Sequence, residues 1–230
     1  MIKTRGKLIV IDGIDGAGKT TQTDLLREYM KVNSVPAHHI KFPRYNSFYG
    51  NTAAKFLRGE LGSFDEVSPY LASLIFAMDR SSAKEEIAGY LNSGIHIITD
   101  RYATSNMAHQ GSKFSDERAR KEFLDWVFEL EYVQEKIPKE DIVLFLDMPA
   151  WIARDLLSSQ IEKSYLKGKK DIHEERVTHL EKTREEFLKL NRAHKHWIKI
   201  KCTDSRGKLL TIQDIHEESL GALRQSIEGI

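Results

Sequence analysis

The sequence predicts an α/β fold in which helices flank both faces of a five-stranded parallel sheet. Five short apolar runs alternate along the chain with segments of helical periodicity, which is typical of such a fold. Each gap between runs is long enough for a crossover, and a glycine-rich loop joins the first run to the first helix. There is no internal repeat or interdomain linker, so a single domain over residues 1–230 is expected.

The five expected strands differ in how strongly their residues favour a buried sheet. The first ends at Asp12, the second is stopped by Pro43, and the third is rich in β-branched residues. The fourth is the most apolar run, whereas the fifth alternates polar and apolar residues as a half-covered edge strand does. The runs are residues 7–11, 38–42, 95–99, 141–146 and 197–201.

Helices are expected between these strands wherever apolar residues recur at helical spacing. Ser68-Pro69 is typical of a helix start, so residues 70–91 are predicted to form one long helix. The expected helices are residues 21–30, 51–58, 70–91, 103–111, 115–133, 150–159, 174–196 and 212–227.

The composition is that of a globular protein and argues against several functional classes. Charged residues make up 30% of the chain and the formal net charge is +1, so no overall field favours nucleic acid or a membrane surface. No apolar run approaches the ~18 residues of a membrane helix, and the N-terminus does not resemble a signal peptide. Cys202 is the one cysteine, which fits a reducing compartment. A cytoplasmic protein without nucleic-acid or membrane partners is expected.

The glycine-rich loop fits the phosphate-binding pattern G-x-x-x-x-G-K-[ST] and lies between a strand and a helix. Its glycines allow successive backbone N–H groups to point at a phosphate, and the helix start adds unpaired donors. Lys19 can reach the β- and γ-phosphates of a nucleotide, and the Thr20 hydroxyl can ligate Mg²⁺. The loop residues are Gly13, Ile14, Asp15, Gly16, Ala17, Gly18, Lys19 and Thr20.

Two aspartates follow buried strands and are candidates for holding Mg²⁺. Asp100 ends the third strand, where a carboxylate beside a phosphate loop commonly binds the metal or its water. Asp147 ends the fourth strand, but Pro149 follows it, which favours a helix-capping role for Asp147. Asp100 is therefore the predicted metal residue, and Arg101 beside it could bridge donor and acceptor phosphates.

Other candidates depend on the phosphate loop for their interpretation. Arg44 follows the second strand, where an anion could bind, although a lone loop arginine is more often solvated. Phe76 and Arg80 lie four residues apart on one helix face, which could hold a flat base but is more often core packing beside a surface arginine. The next helix carries polar side chains that could bind a base or sugar, or could simply face solvent. They are Ser105, Asn106, His109 and Gln110.

A lysine-rich stretch around Gly168 suits either a solvated loop or a mobile lid over a triphosphate. The phosphate loop favours the lid, which we expect over residues 160–175. Cations gathered near one acid suit the transfer of a phosphoryl group between two anions, because the transition state spreads negative charge over the moving group. The lid lysines are Lys163, Lys167, Lys169 and Lys170.

These motifs together resemble the thymidylate kinase family over nearly the whole chain. The resemblance implies a P-loop NTPase fold of the nucleoside monophosphate kinase type with a mobile lid, ATP and Mg²⁺ as cofactors, and a homodimer. It implies that the γ-phosphoryl group of ATP is transferred to dTMP, giving dTDP. The motifs, in the family's order, are Gly13–Thr20 followed by Thr21, Phe42-Pro43-Arg44, Phe76 with Arg80, Asp100-Arg101-Tyr102 followed by Ser105-Asn106, and Asp171-Ile172-His173-Glu174.

The resemblance also implies residue roles. The catalytic residues would be Lys19, Arg101, Asp15 and Asp100, and the metal residues Thr20 and Asp100. Thr21 and Arg154 would join the loop in binding ATP, with Arg154 near the base. The residues that would bind dTMP are Asp15, Arg44, Phe76, Arg80, Arg101, Ser105, Asn106, His109 and Gln110.

The chain departs from the family pattern at three points. Gly16 stands where some members have an arginine, and the lid offers lysines where those members' counterparts have arginine, so the catalytic cation is left open. His109 stands where an aromatic residue commonly screens the sugar 2′ position. The alternatives are a deoxynucleoside kinase, another pyrimidine monophosphate kinase, and a nucleotide-binding module without an acceptor.

Overall fold

The computed structural model describes residues 4–62, 66–161 and 170–227, and their side chains except those of residues 160, 161 and 170–176. Five strands form one parallel sheet in the order β2-β3-β1-β4-β5, with helices packed against it. The strands are β1 Leu8–Asp12, β2 Ala37–Lys41, β3 His96–Asp100, β4 Ile142–Asp147 and β5 Trp197–Lys201. The helices are α1 Lys19–Val32, α2 Phe48–Leu57, α3 Pro69–Ser81, α4 Lys84–Asn92, α5 Ala103–Gly111, α6 Glu117–Phe128, α7 Ala150–Ile161, α8 Lys170–Ala193 and α9 Ile212–Ser226.

The central strand β1 fixes the position of the site. It pairs with β3 on one side and β4 on the other, so that Ile9 lies beside both Ile98 and Ile142. All five residues of β1 are buried, as expected for a strand covered on both faces. The carboxyl ends of β1 and β3 therefore meet at one edge of the sheet, where ligands bind in open α/β folds. The five-stranded parallel sheet is the one that the sequence predicts.

The prediction of one long helix over residues 70–91 is wrong, because the segment forms the two helices α3 and α4. The break lies at Ser82 and Ala83. The Ser82 hydroxyl donates to the Asp79 carbonyl, and the Ala83 N–H bonds the Arg80 carbonyl three residues back. This local turn replaces the α-helical ladder, and the apolar periodicity that continues across it gave no sign of the break.

The helix predicted over residues 115–133 is present but changes its winding. It begins as α6, which Asp116 caps by accepting from the Ala119 N–H, and it continues as a π-helical turn over Glu129–Gln134. A π turn shifts the side chains that follow it around the helix axis, and such turns often occur at functional sites. Of the predicted lid, residues 162–169 lie outside the described residues, so the lid stays a prediction. No helix among the described residues has the length and apolar content needed to cross a membrane.

Candidate active site

The phosphate loop joins β1 to α1 through glycines with positive φ. Gly16 has φ +82°, and a Cβ there would lie 2.5 Å from the Ala153 carbonyl oxygen, so only glycine fits without a shift of α7. Lys19, at the start of α1, donates from Nζ to the carbonyl oxygens of Gly13 at 3.0 Å and Ile14 at 2.8 Å. Burial, followed by the nearby Arg101 guanidinium, lowers the pKa of Lys19 to about 8. The Lys19 side chain thus folds back over the concave backbone of the loop.

A buried aspartate that the sequence analysis missed fixes the loop to α5. Asp12, at the end of β1, is fully buried and accepts hydrogen bonds from the Gly13 N–H at 2.9 Å and the Thr104 hydroxyl at 2.6 Å. The Ser105 hydroxyl also donates to it at 2.8 Å. Burial raises the pKa of Asp12, although Arg101 and Lys19 act in the opposite direction. The sequence did contain a signal for this role of Asp12, because a carboxylate at the end of an otherwise apolar strand is unusual enough to indicate a buried, hydrogen-bonded group.

Thr20 and Asp100 meet where the sequence analysis predicts a metal. The Thr20 hydroxyl donates to Asp100 Oδ2 at 2.8 Å, and the Lys41 ammonium lies 3.4 Å from the same oxygen. Asp100 is buried, and its Oδ1 has no hydrogen-bond partner among the described residues. A hydroxyl beside a carboxylate with one unused oxygen is the kind of donor set that Mg²⁺ prefers. The residues present therefore fit a magnesium ion.

Arg101 lies between the phosphate loop and α5. Its guanidinium donates to the Asp15 carboxylate, to the Ser105 hydroxyl at 3.3 Å and to His109 Nε2 at 3.0 Å. Because a guanidinium can only donate, His109 Nε2 must accept, and the ring carries its proton on Nδ1. Burial and then Arg101 lower the pKa of His109 to about 3, so the imidazole stays neutral near pH 7. Arg101 is therefore a cation that three neighbouring side chains orient.

A cavity of about 430 Å³ opens beside Arg101 and is large enough for a nucleoside. One wall is aromatic: Phe56 and Phe76 meet edge to face with ring centroids 5.8 Å apart. Much of the polar lining comes from α5. The lining residues are Asp15, Phe42, Pro43, Tyr45, Phe56, Leu57, Phe76, Asp79, Arg80, Arg101, Ser105, Asn106, His109, Gln110 and His179.

Arg80 lines the cavity but its charge is already paired. Its Nε donates to Glu131 Oε2 at 3.0 Å, its Nη2 donates to Glu131 Oε1, and both side chains are buried. Burial alone lowers the pKa of Arg80, but the Glu131 carboxylate raises it above its usual value. Glu131 lies on the π-helical turn and was not predicted as a site residue. The sequence signal for a buried carboxylate was the position of Glu131 four residues after Val127, on the apolar face of the helix.

Arg44 does not line this cavity. Its Nη2 donates to the Ser82 hydroxyl at 2.7 Å, and its Nη1 lies 3.4 Å from Glu86. Its backbone N–H donates to Asp79 Oδ2 at 2.7 Å, which fixes the loop after the Phe42–Pro43 cis peptide bond. The structure therefore brings the Arg44 backbone to the cavity's edge and its guanidinium to the junction of α3 and α4, where Nε lies 3.5 Å from Asp79 Oδ1. The phosphate clamp predicted for Arg44 stays a prediction.

A model of the thymidylate kinase family, described as "Thymidylate kinase", matches residues 11–211 of the chain. The chain belongs to the thymidylate kinase family. It is 28% identical to the thymidylate kinase of Plasmodium falciparum over 222 residues, which cover 94% of this chain and 89% of the relative. It is 31% identical to the probable thymidylate kinase 1 of Saccharolobus solfataricus over 84% of this chain and 87% of the relative.

The fold agrees with that of a solved thymidylate kinase. The structure of the thymidylate kinase from Candida albicans superposes with a TM-score of 0.70 at 24% sequence identity, covering 96% of this chain and 92% of that one. The P-loop nucleoside monophosphate kinase fold that the sequence predicts is therefore confirmed.

Two residues with predicted roles in thymidylate kinase chemistry lie away from the cavity. Arg154 on α7 pairs with Asp155 at 2.6 Å and is partly exposed, and Thr21 is exposed on the first turn of α1. Asp147, the rival metal candidate, instead accepts from Arg184 Nε of α8 at 2.7 Å. Cys202 is buried, and burial raises the pKa of its thiol to about 12, which argues against a role as a nucleophile.

Proposed function

We propose that the described site transfers the γ-phosphoryl group of ATP to dTMP, giving ADP and dTDP. Membership of the thymidylate kinase family makes the chain an ATP-dependent kinase of dTMP. The observation that carries the assignment of the site is the contact of Arg101 with Asp15. This contact connects the phosphate loop to a cavity of nucleoside size, so that the Arg101 guanidinium lies between the two.

The donor side consists of the loop backbone with Lys19 and Thr20. Lys19 Nζ bonds two loop carbonyls, Gly13 and Ile14, and would exchange them for phosphate oxygens when ATP binds. Thr20 and Asp100 would hold Mg²⁺, which supplies positive charge against the β- and γ-phosphates. No group of three or more His, Cys, Asp or Glu side chains within the described ranges could hold a metal by itself. The nucleotide phosphates would therefore complete the coordination.

The acceptor would occupy the cavity with its base against Phe76 and its phosphate toward Arg101. An oxygen of the dTMP phosphate forms a bond to the γ-phosphorus as the bond from that phosphorus to the β–γ bridging oxygen breaks, and ADP leaves. Arg101 can contact both phosphates and stabilise the charge spread over the transferred group. The contacts of Arg101 with Asp15 and His109 hold its guanidinium in place before the reaction.

Arg44 can bind the acceptor phosphate only after a change of side-chain position. Its guanidinium contacts Ser82 and Glu86 at the junction of α3 and α4, and its Nε lies 3.5 Å from the buried Asp79 carboxylate, with 24% of the side chain exposed. The ion pair with Glu86 is partly exposed, so exchanging it for a phosphate dianion costs little. Arg44→Ala should then raise the KM of dTMP and leave the KM of ATP unchanged.

A homodimer is also proposed, on the resemblance and on exposed apolar side chains of α3, α6 and the π-helical turn that follows α6. Leu71, Phe128 and Val133 are 58%, 41% and 44% exposed. Apolar residues exposed on helices are common at protein–protein interfaces. Light scattering coupled to gel filtration should give the mass of a dimer, and Leu71→Glu should give that of a monomer.

The function is tested by coupled ADP release over a panel of acceptors: dTMP, dUMP, dCMP, UMP, AMP and thymidine. dTMP should give the highest kcat/KM, and Lys19→Ala should lose turnover while still binding dTMP in calorimetry. Equal or better turnover of UMP, dCMP or AMP would contradict the thymidylate assignment. Turnover of thymidine that survives Arg44→Ala would instead support a deoxynucleoside kinase.

A further inference from the structure

The Lys41 ammonium lies against both side chains that would hold the magnesium ion. Lys41 is the last residue of β2 and stands beside Asp100 in the register of β2 with β3. Its Nζ donates to the Thr20 hydroxyl oxygen at 3.3 Å and lies 3.4 Å from Asp100 Oδ2. One lysine therefore contacts both members of the donor pair.

A metal ion and the Lys41 ammonium compete for this pair of side chains. The Thr20 hydroxyl donates its proton to Asp100 Oδ2 at 2.8 Å, so its oxygen keeps its lone pairs, one of which accepts from Lys41. A metal bound through Thr20 needs the same oxygen and would lie within a few ångströms of the ammonium. Repulsion between a divalent ion and an ammonium group at such a separation disfavours having both.

Lys41 can leave these contacts at small cost. The strand that carries it, β2, is the outermost strand on its side of the sheet, and 47% of the Lys41 side chain is exposed. Partly exposed ion pairs contribute little to stability, and lysine has a flexible stem with a strongly hydrated charge. The ammonium thus compensates the buried Asp100 carboxylate without being fixed to it, and a more highly charged cation can displace it.

The cost of displacing Lys41 differs between a bare metal ion and one that carries a nucleotide. A bare ion gains only the Thr20 and Asp100 oxygens of this pair in exchange. An ion bound to nucleotide phosphates brings further oxygens, and these also offer the ammonium new charge-assisted hydrogen bonds. Competition by Lys41 therefore weakens the binding of the bare ion more than that of its nucleotide complex.

We propose that Lys41 competes with divalent metal for Thr20 and Asp100, so that the site holds bare Mg²⁺ weakly and takes the metal together with the nucleotide phosphates. The inference rests on the proposed function, because it takes Thr20 and Asp100 to be the metal residues. A lysine that served only as a surface ion pair would affect stability without changing the affinity for metal.

Lys41→Met tests the proposal because methionine keeps part of the aliphatic stem and removes the ammonium. The probe is Mn²⁺ without nucleotide, and free Mn²⁺ is measured by electron paramagnetic resonance over the millimolar range. The variant should bind bare Mn²⁺ roughly threefold more tightly than wild type, or better, which is the factor expected for a partly exposed ion pair. Lys41→Arg keeps the charge and should retain the weak affinity of wild type.

Lys199→Met is the matched control. Lys199 lies on β5, is 38% exposed, and its Nζ is 3.9 Å from Asp147 Oδ2. It is thus also a partly exposed lysine beside an aspartate that ends a strand, but Asp147 accepts from Arg184. Lys199→Met removes the same charge from the chain and should leave the affinity for Mn²⁺ unchanged.

Lys41→Met combined with Asp100→Asn shows whether the effect acts at the proposed site. Because the carboxylate for which the two cations compete is then absent, the loss of Lys41 should no longer tighten the binding of Mn²⁺. A gain that persists in this double variant would place the bound Mn²⁺ elsewhere and overturn the proposal.

The remaining outcomes separate the two proposals. A gain for Lys41→Met that is clearly below threefold, an equal gain for Lys199→Met, or no binding by Lys41→Met in the millimolar range overturns the role of Lys41. A wild type that does not turn over dTMP with ATP and Mg²⁺ overturns the proposed function instead, whatever the affinities for Mn²⁺.

Discussion

The Arg101 guanidinium donates to the Asp15 carboxylate, and this pair connects the end of β3 to the phosphate loop. Burial alone lowers the pKa of Arg101, but Asp15 and Asp12 raise it above its usual value, so the cation persists at every physiological pH. Arg101 adopts φ +70°, a left-handed conformation that directs its side chain toward the loop. Arg101 is therefore a strained residue, and it lies between the phosphate loop and the cavity.

Replacing Arg101 by lysine should lower kcat by roughly 100-fold or more, with a smaller change in the KM of ATP. A lysine keeps the charge but cannot donate to Asp15, Ser105 and His109 from one planar group. Steady-state kinetics with both substrates varied would measure this. Arg118→Lys, at a side chain that is 87% exposed, is the control and should leave kcat unchanged. A kcat within threefold of wild type for Arg101→Lys would remove Arg101 from the reaction.

Two loop glycines should respond differently to alanine. Gly16 and Gly18 have similar positive φ values, +82° and +86°, so both substitutions introduce left-handed strain of about 1–2 kcal/mol. A Cβ at Gly16 also meets the Ala153 carbonyl oxygen at 2.5 Å, whereas nothing lies within 4 Å of one at Gly18. Gly16→Ala should therefore lower the free energy of unfolding in urea by about 1–2 kcal/mol more than Gly18→Ala. Equal losses in the free energy of unfolding for the two variants would show that α7 shifts at little cost to accommodate the Cβ.

The sheet and the loop could be predicted from the sequence because both follow from local patterns. Buried parallel strands appear as continuous apolar runs, and the loop pattern is fixed by the chemistry of phosphate binding. Placing Asp100 beside Thr20 also followed, because the ends of β1 and β3 meet at one edge of a parallel sheet.

The contacts of the arginines could not be predicted in this way. Arg80 pairs with Glu131, 51 residues away in the sequence, and Arg44 contacts Glu86 across 42 residues. Such partners depend on how α3, α4 and the π-helical turn pack, which no local pattern encodes. The break between α3 and α4 could not be predicted for a related reason, since it depends on the Ser82 hydroxyl donating to the preceding Asp79 carbonyl.

Asp100→Asn should weaken metal binding in the presence of ADP by roughly tenfold or more. The substitution removes a negative charge at the carboxylate whose Oδ1 lacks a partner in the described part of the chain. Free Mn²⁺ measured by electron paramagnetic resonance, with Mn²⁺ in place of Mg²⁺, gives the affinity without recourse to activity. Asp147→Asn is the matched control, because Asp147 is paired with Arg184. Greater loss in the control than in Asp100→Asn would make Asp147 the metal residue.

His109 should make the protein less stable as the pH falls below about 6.5. Its folded pKa is about 3, lowered by burial and by Arg101, whereas an unfolded histidine has its usual value of 6.5. Between these values only the unfolded chain takes up the proton, so the free energy of unfolding decreases as the pH falls toward 3. The imidazole lies at the cavity wall and is partly screened by solvent, so the contribution between pH 7 and pH 5 is about 1 kcal/mol.

His109→Gln removes this contribution, because an amide oxygen can accept from Arg101 and does not titrate. Urea unfolding of both proteins at pH 5, 6 and 7 measures the difference. Wild type should lose about 1 kcal/mol more than the variant between pH 7 and pH 5, since all other titrating groups are common to both proteins. Parallel pH profiles would mean that His109 takes up its proton over the same pH range in the folded and unfolded states. Arg101 would then have to donate elsewhere at pH 5, because a protonated imidazole has no acceptor.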